Sequence, residues 1–431
     1  MEKSYFIETW GCQMNDLDSQ RLGGQLRLRG YRRAESAREA DLILLNTCSI
    51  RDKSESKVYS RLGELRYQRR RGARIGVAGC VAQQEGERIL ERSPWVDFVM
   101  GPANVGFLDE IIDGKKKIAV DFPAERSYDH LTIDRPSAVR AQVTIIEGCN
   151  KNCTFCIVPT TRGREISRPS RDLMAEIRHA LEQGRVEIEL LGQTVNAYRC
   201  PETGMDFAAL LEAVTDLSGL LRLRFMTSHP AEVTGRLIEV MRDRAQICRF
   251  LHLPVQSGSS AVLRRMKRLY TRERYLDTVD RIREAIPEMS FSTDLIVGFP
   301  GESESDFELT LSLMERVRFG SIYAFKYSPR PGTPALRLGD PVPDPIASER
   351  LNRVFALQEG IERETLRSYV GRVIPVLYEG PSARDASVFA GKSEHNWTVN
   401  FISPRPAELG RLVDVHIHEA LHHTLRGEAV A

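Results

Sequence analysis

A chain of 431 residues, 42% hydrophobic and 28% charged with a formal net charge of +2, has the balance of a soluble globular protein and is too long for one ordinary core, so two or three domains are expected. No apolar run approaches the ~18 residues of a membrane span, and Met1-Glu-Lys-Ser-Tyr-Phe-Ile-Glu8 lacks the pattern of a secretory signal; a cytoplasmic protein with no membrane partner is expected. Eight cysteines in a reducing cytosol point to metal or catalysis rather than to a disulfide set.

Three N-terminal segments repeat one pattern: Tyr5-Phe-Ile-Glu-Thr-Trp-Gly-Cys12, Asp41-Leu-Ile-Leu-Leu-Asn-Thr-Cys48 and Arg74-Ile-Gly-Val-Ala-Gly-Cys80. Each is a short apolar run that stops at a cysteine, with helix-like stretches at 19–29 and 54–70 between them. The cysteines lie 36 and 32 residues apart, about one strand-plus-helix unit each time. In an open parallel sheet the carboxyl ends of the strands line one edge, where such folds bind ligands. Cys12, Cys48 and Cys80 are therefore expected to converge. Any one of them alone reads as a small core residue; the repetition favours a metal-ligating triad.

From 113 to 140 the pattern breaks into Lys115-Lys-Lys117, Asp121-Phe-Pro123 and Arg135-Pro136, which reads as an interdomain connection. Strand candidates follow at 142–147, 186–191, 221–226, 249–254, 290–297 and 321–327. Helical stretches such as Leu173, Ile177 and Leu181, or Leu210, Leu211, Val214 and Leu217, separate them. Six βα units imply a partial (β/α)6 barrel with its site at the carboxyl ends of the strands. The last sixty or so residues read as five short strands joined by Gly, Pro and Ser turns, enough for a small oligonucleotide-binding type of β-barrel. Charge adds little there: from Tyr369 onward six Lys/Arg face seven Asp/Glu. The expected fold class is α/β multidomain. An N-terminal open parallel sheet (1–115) is followed by a linker (116–140), a partial barrel (141–367) and a C-terminal small β-barrel (368–431).

The first barrel strand empties into Glu147-Gly-Cys149-Asn-Lys-Asn-Cys153-Thr-Phe-Cys156. Three thiols at three-then-two spacing can wrap one face of an iron–sulfur cluster. A cubane normally takes four thiolates, and the next cysteine is Cys200, so one iron would stay open for a small-molecule ligand. The bland reading is a zinc knuckle or three buried thiols, but a structural zinc site is usually closed by four N/S ligands, and no His or Cys nearby closes this one. Cys200 and Cys248 fall outside both triads and read as structural or incidental.

The C-x3-C-x2-C loop resembles the signature of the radical S-adenosylmethionine (SAM) enzymes, in which SAM occupies the open iron. Gly11-Cys12-Gln-Met-Asn15, Asn46-Thr-Cys48-Ser-Ile-Arg51 and Gly79-Cys80 resemble the N-terminal domain of the methylthiotransferase family, which carries a second, auxiliary cluster. The C-terminal segment resembles the TRAM RNA-binding module. The loop continuing through Pro159-Thr-Thr-Arg162-Gly163 to Ser167-Arg168-Pro169 looks most like the MiaB-type tRNA methylthiotransferases. The resemblance implies two [4Fe–4S] clusters, one on Cys149, Cys153 and Cys156 as the catalytic site and an auxiliary one on Cys12, Cys48 and Cys80. It also implies SAM contacts from Phe155, from Gly192 and Gln193 after the second barrel strand, from Gln256 and Ser257 after the fourth, and from Asp294, Ile296 and Gly298 on the fifth.

As isolated motifs these strand ends are weak, since glycine after a strand is more often a tight turn. With Gln193 where many radical SAM proteins have an acid, an acid–amine pair to SAM is not assumed.

What the resemblance implies about function is methylthiolation of carbon 2 of isopentenyl-adenosine at tRNA position 37, with SAM as radical source and methyl donor. That carbon carries a hydrogen no side-chain base removes usefully, so the chemistry must come from a cofactor. The SAM-site cluster would split SAM to methionine and a 5′-deoxyadenosyl radical, and the auxiliary cluster would hold the sulfur. Implied partners are the tRNA anticodon stem-loop, an electron donor and a sulfur source; a monomer is expected. Two arginine-dense stretches, 61–74 and 264–274, contain tyrosines and could follow a phosphate backbone and stack on bases. For either alone a solvated helix face is at least as good a reading; the two together favour RNA contact. Alternatives are the family branches that modify threonylcarbamoyl-adenosine in tRNA or an aspartate of a ribosomal protein, and, from another class, a non-catalytic zinc-dependent RNA-binding protein.

Overall fold

The computed structural model describes residues 2–49, 54–123, 133–404 and 407–430. Two compact units emerge. The first comprises 1–136 with 147–152 and 156–166; the second comprises 137–146, 153–155 and 167–431.

The first unit is built on an all-parallel six-stranded sheet of order β2-β1-β3-β4-β5-β6. Its strands are β1 Ser4–Trp10, β2 Arg32–Arg33, β3 Leu42–Thr47, β4 Arg74–Gly79, β5 Phe98–Met100 and β6 Ile118–Ala119. Side chains alternate across a strand, and both faces of a parallel sheet need cover; β3 shows how this is met. Ile43 and Leu45 pack with Val58, Leu62 and Leu65 of helix Ser54–Gln68, whereas Leu42 and Leu44 pack with Leu22 and Leu26 of helix Gln13–Leu28. The doubly wound N-terminal layer is thus the expected one. Ile118–Ala119, inside the stretch expected to be a linker, instead pairs with β5 as the edge strand. Two residues carry no period by which a strand could be recognised.

The second unit contains six parallel-paired strands in two ladders. These are β7 Arg140–Thr144, β10 Glu187–Leu191 and β11 Arg222–Phe225 in the order β11-β10-β7, and β12 Phe250–His252, β13 Ser290–Val297 and β14 Ser321–Lys326 in the order β12-β13-β14. A short pair, β8 Ile146–Glu147 and β9 Ile166–Ser167, follows β7. Among the described residues one isolated bridge, Leu223 with Ile247, joins the ladders, so the expected six-strand partial barrel is present with a broken seam between its third and fourth strands. Alternation again decides which way residues face. Ile188, Leu190 and Leu223 join the apolar layer with Leu173, Ile177, Leu210 and Leu211 of the helices, while Glu187, Glu189, Arg222 and Arg224 are buried on the same strands outside that layer.

Helix Asp344–Arg367 leads to a closed barrel of order β15-β16-β17-β19-β18. Its strands are β15 Val373–Pro381, β16 Phe389–Ser393, β17 Thr398–Ile402, β18 Leu412–Ala420 and β19 Thr424–Ala429. Val376, Val399, Phe401, Val415, Ile417 and Leu425 fill it.

Two buried arginines tie this barrel to the strands of the larger one. Arg222 donates to the Pro375 carbonyl at 2.9 Å and to that of Lys392. Arg224 donates to the carbonyls of Ser393 at 2.6 Å and Glu394 at 3.2 Å and pairs with Glu187 at 3.1 Å. Removing one partner of a buried pair leaves an uncompensated charge, at a cost of about 3–5 kcal/mol. Arg224→Met is therefore expected to lower the thermal unfolding midpoint markedly, and Glu187→Gln in the same chain to recover part of the loss; an unchanged midpoint in Arg224→Met would refute the pairing.

Candidate functional site: two cysteine triads

In the first unit the three repeated cysteines follow the carboxyl ends of three adjacent strands. β1 ends at Trp10, β3 at Thr47 and β4 at Gly79, and the registers place Trp10 beside Thr47 and Thr47 beside Gly79. Cys12 caps helix Gln13–Leu28 and Cys80 opens helix Cys80–Glu85. An asparagine clasp fixes the edge: Asn15 donates to Asn46 Oδ1 and the Thr47 carbonyl, both at 3.2 Å, and Asn46 donates back to the Asn15 carbonyl at 2.9 Å. Space is tight. Gly79 has φ +90°, and a Cβ there would lie 2.3 Å from the Thr47 carbonyl oxygen, so this turn between two cysteine-bearing elements requires glycine. Ile50 and Arg51 of the second motif lie outside the described residues.

Cys48 is within hydrogen-bond reach of both Cys12 and Cys80. That contact is the first reason Cys12 is drawn down to about 6 against the cost of burial, with the Arg162 charge and the backbone N–H groups of the helix start assisting. Cys80 falls to about 7 for the same first reason; Arg162 again assists, while Cys12 and Asp18 oppose. Cys48 is pushed up by its two neighbours and by burial. Among the described residues no three or more His, Cys, Asp or Glu side chains are spaced to hold a single metal ion. Thiolate character at a helix start is the donor chemistry an iron–sulfur cluster requires.

The cysteine loop contributes to both units. In the first, Gly148 (φ +74°) turns the chain so that Cys149 N–H reaches the Gly163 carbonyl at 3.2 Å. In the second, Cys153 is buried, and Arg268 Nη1 approaches its sulfur at 3.4 Å. Thr154 is stitched to the segment before Arg268 through the carbonyls of Met266 at 3.0 Å and Arg265 at 2.9 Å. Arg268 Nη2 also donates to the Pro254 carbonyl at 3.0 Å and its Nε to Tyr270 Oη at 2.9 Å.

The expected SAM contacts fall into groups in the second unit. Phe155 and Ile296 share one small apolar cluster with Val262, Met266 and Phe299, and Phe155 meets Phe299 edge to face at 6.4 Å. Gln256, at φ +72°, exchanges backbone hydrogen bonds with Asp294 and Ile296, both at 2.9 Å. Ser257 is fully buried beside it. Gly192 packs so closely on Ile146 that a Cβ would lie 2.3 Å from its side chain, with Gln193 half-buried next to it. Gly298 is a turn residue: its N–H is committed to Glu302 at 2.6 Å, and Glu302 in turn pairs with Arg350 at 2.9 Å. Asp294 faces His252, 3.5 Å away, whose other ring nitrogen meets Ser292 at 2.8 Å.

Several residues near these sites carry no signal in the sequence. Asn196 and His229 exchange backbone-to-side-chain hydrogen bonds at 2.8 and 2.9 Å, and His229 packs on Tyr270. In the two arginine-dense stretches several side chains are engaged within the fold. Arg61 pairs with Glu8 and Glu64, Arg70 with Asp41, and Arg74 caps the carbonyls of Ile111 and Ile112. Arg268 belongs to the Cys153 loop and Arg272 to the carbonyls of Gly258 and Leu309. These side chains hold the fold together. Cys200 accepts from Ser170 N–H at 3.3 Å within the barrel core. Burial pushes the Cys248 thiol up to about 11.

Residues 4–101 match the uncharacterized protein family UPF0004, 143–314 the radical SAM superfamily and 367–430 the TRAM domain. The tRNA-2-methylthio-N(6)-dimethylallyladenosine synthase of Alkalilimnicola ehrlichii is 47% identical over 98% of this chain and 96% of its own length. That of Syntrophotalea carbinolica is 44% identical over 99% and 100%. The chain belongs to the tRNA-2-methylthio-N(6)-dimethylallyladenosine synthase family. It is accordingly an enzyme of the radical SAM class, and that class implies SAM and a [4Fe–4S] cluster. Among solved structures, the radical SAM methyltransferase TsrM of Kitasatospora setae superposes with a TM-score of 0.56 at 14% identity over 78% of this chain and 77% of its own, a likeness of fold. No helix among the described residues is long and apolar enough to cross a membrane.

Proposed function

We propose that this chain methylthiolates carbon 2 of N6-isopentenyl-adenosine at position 37 of tRNA, giving the 2-methylthio derivative, in the cytoplasm and as a monomer. Full-length similarity to synthases named for that product carries the reading. Cys149, Cys153 and Cys156 hold the SAM-site cluster, and Cys12, Cys48 and Cys80 hold a second, auxiliary one. When bound, the SAM-site cluster and SAM supply the 5′-deoxyadenosyl radical that opens a C–H bond beyond the reach of side-chain bases.

The protein's part is to position and shield. Arg268 places a positive charge beside the Cys153 sulfur. The segment around Gln256 and Asp294 and the apolar patch of Phe155 and Ile296 hold SAM, and the terminal barrel holds tRNA. An electron donor and a sulfur source are the other partners the reaction requires.

Comparing cells with and without the chain tests the substrate. Loss of the methylthio nucleoside with accumulation of isopentenyl-adenosine, and ribosomal proteins of unchanged mass, is the expected result. Unchanged tRNA nucleosides with a ribosomal protein lighter by one methylthio group would transfer the activity to the protein-modifying branch.

A further inference from the structure

A buried charge network lies beside the N-terminal cysteines, and neither triad needs it for ligands. Helix Gln13–Leu28 begins on Cys12 and carries Asp18 and Arg21 one turn apart. Asp18 accepts from Arg162 Nη2 at 2.7 Å, and Arg21 Nη1 donates to Glu147 at 3.2 Å. All four side chains are nearly excluded from water. Glu147 stands two residues before Cys149 and Arg162 six after Cys156, so the two flanks of the radical SAM cysteine loop are fastened to the one helix that starts at Cys12. The short helix Val158–Arg162 also packs on helix Cys80–Glu85, which opens with the third cysteine of the first triad.

Burying a charge is costly unless it is compensated. The ion pairs Asp18–Arg162 and Arg21–Glu147 are each balanced, so on their own they only hold the loop. A cluster bound by three thiolates is negatively charged and becomes more so on reduction. A guanidinium at that place favours the reduced form, and net charge near the cluster is one of the terms that set its potential.

We propose that Arg162 is a positioning residue of the auxiliary site: delivered from the radical SAM cysteine loop, it supplies the positive charge against which the auxiliary cluster is held and reduced. This rests on the two-cluster reading.

The test uses the full chain with Cys149, Cys153 and Cys156 changed to alanine, reconstituted anaerobically and titrated by EPR-monitored reduction. Arg162→Met in that background should shift the oxidised-to-reduced ratio at fixed potential at least tenfold toward oxidised, about 59 mV for one electron. Arg162→Lys should restore most of the shift. Should Arg162→Met fail to fold because Asp18 is left buried and unpaired, Arg162→Gln, which removes the charge but keeps an N–H donor for Asp18, is titrated in its place, with the same direction expected. A cluster of unaltered potential in these charge-removing variants overturns the role of Arg162. No iron in the parent triple-alanine chain overturns the auxiliary-cluster reading itself.

Discussion

Replacing Cys12, Cys48 and Cys80 together by alanine should halve the iron and acid-labile sulfide of the anaerobically reconstituted protein, from about eight atoms of each per chain to about four, and abolish methylthiolation while SAM cleavage persists. Replacing Cys149, Cys153 and Cys156 should halve the iron equally but abolish SAM cleavage as well. The expectation of independence has a structural basis. The first triad is set by the register of β1, β3 and β4 and by the Asn15–Asn46 clasp, none of which involves the other cysteines. Cysteine to alanine is a small change of volume at each site, so folded protein should survive for the assay. Zinc assayed alongside decides between classes: stoichiometric zinc with little iron would return the non-catalytic RNA-binding alternative, and retention of methylthiolation in both triple variants would remove both triads from the mechanism.

That Cys12, Cys48 and Cys80 follow neighbouring strand ends is legible in the amino-acid sequence because their place in the sheet is a consequence of chain position. A parallel sheet brings the ends of β1, β3 and β4 together whatever the side chains between them, so three cysteines at three strand ends must be neighbours. The six barrel strands and the five terminal ones are legible for the related reason that apolar runs bounded by turn residues announce themselves. What cannot be read is what depends on partners distant in sequence. Asp18 and Arg162 are 144 residues apart, and Cys153 and Arg268 are 115; nothing local marks either arginine as a neighbour of a cysteine. Local density does not announce such partners either: Glu8, Asp41 and the carbonyls of Ile111 and Ile112 engage Arg61, Arg70 and Arg74. Gly298 stands at a turn, with φ +71° and its N–H on Glu302, as a glycine after a strand commonly does.

Arg268→Met should reduce SAM cleavage ten- to a hundredfold, the range typical when a partner of a metal ligand is removed, with tRNA binding unchanged. The guanidinium makes three contacts at once: the Cys153 sulfur at 3.4 Å, the Pro254 carbonyl at 3.0 Å and Tyr270 Oη at 2.9 Å. Tyr270 Oη itself donates to the Pro254 and Val255 carbonyls at 3.1 and 3.0 Å, so the strand end that leads to Gln256 keeps one donor when Arg268 is lost, and the backbone there should hold. What methionine cannot replace is the positive charge beside the Cys153 sulfur; on the proposed reading, a cluster held there would be harder to reduce without it, and cleavage of SAM would slow. Arg268→Lys keeps the charge but loses the planar fork that spans sulfur, carbonyl and phenol, and should fall between the two. Iron at about eight per chain in every variant would locate the loss in electron transfer, while cleavage at the wild-type rate in Arg268→Met would show that the contact with Cys153 is only a packing contact of the loop.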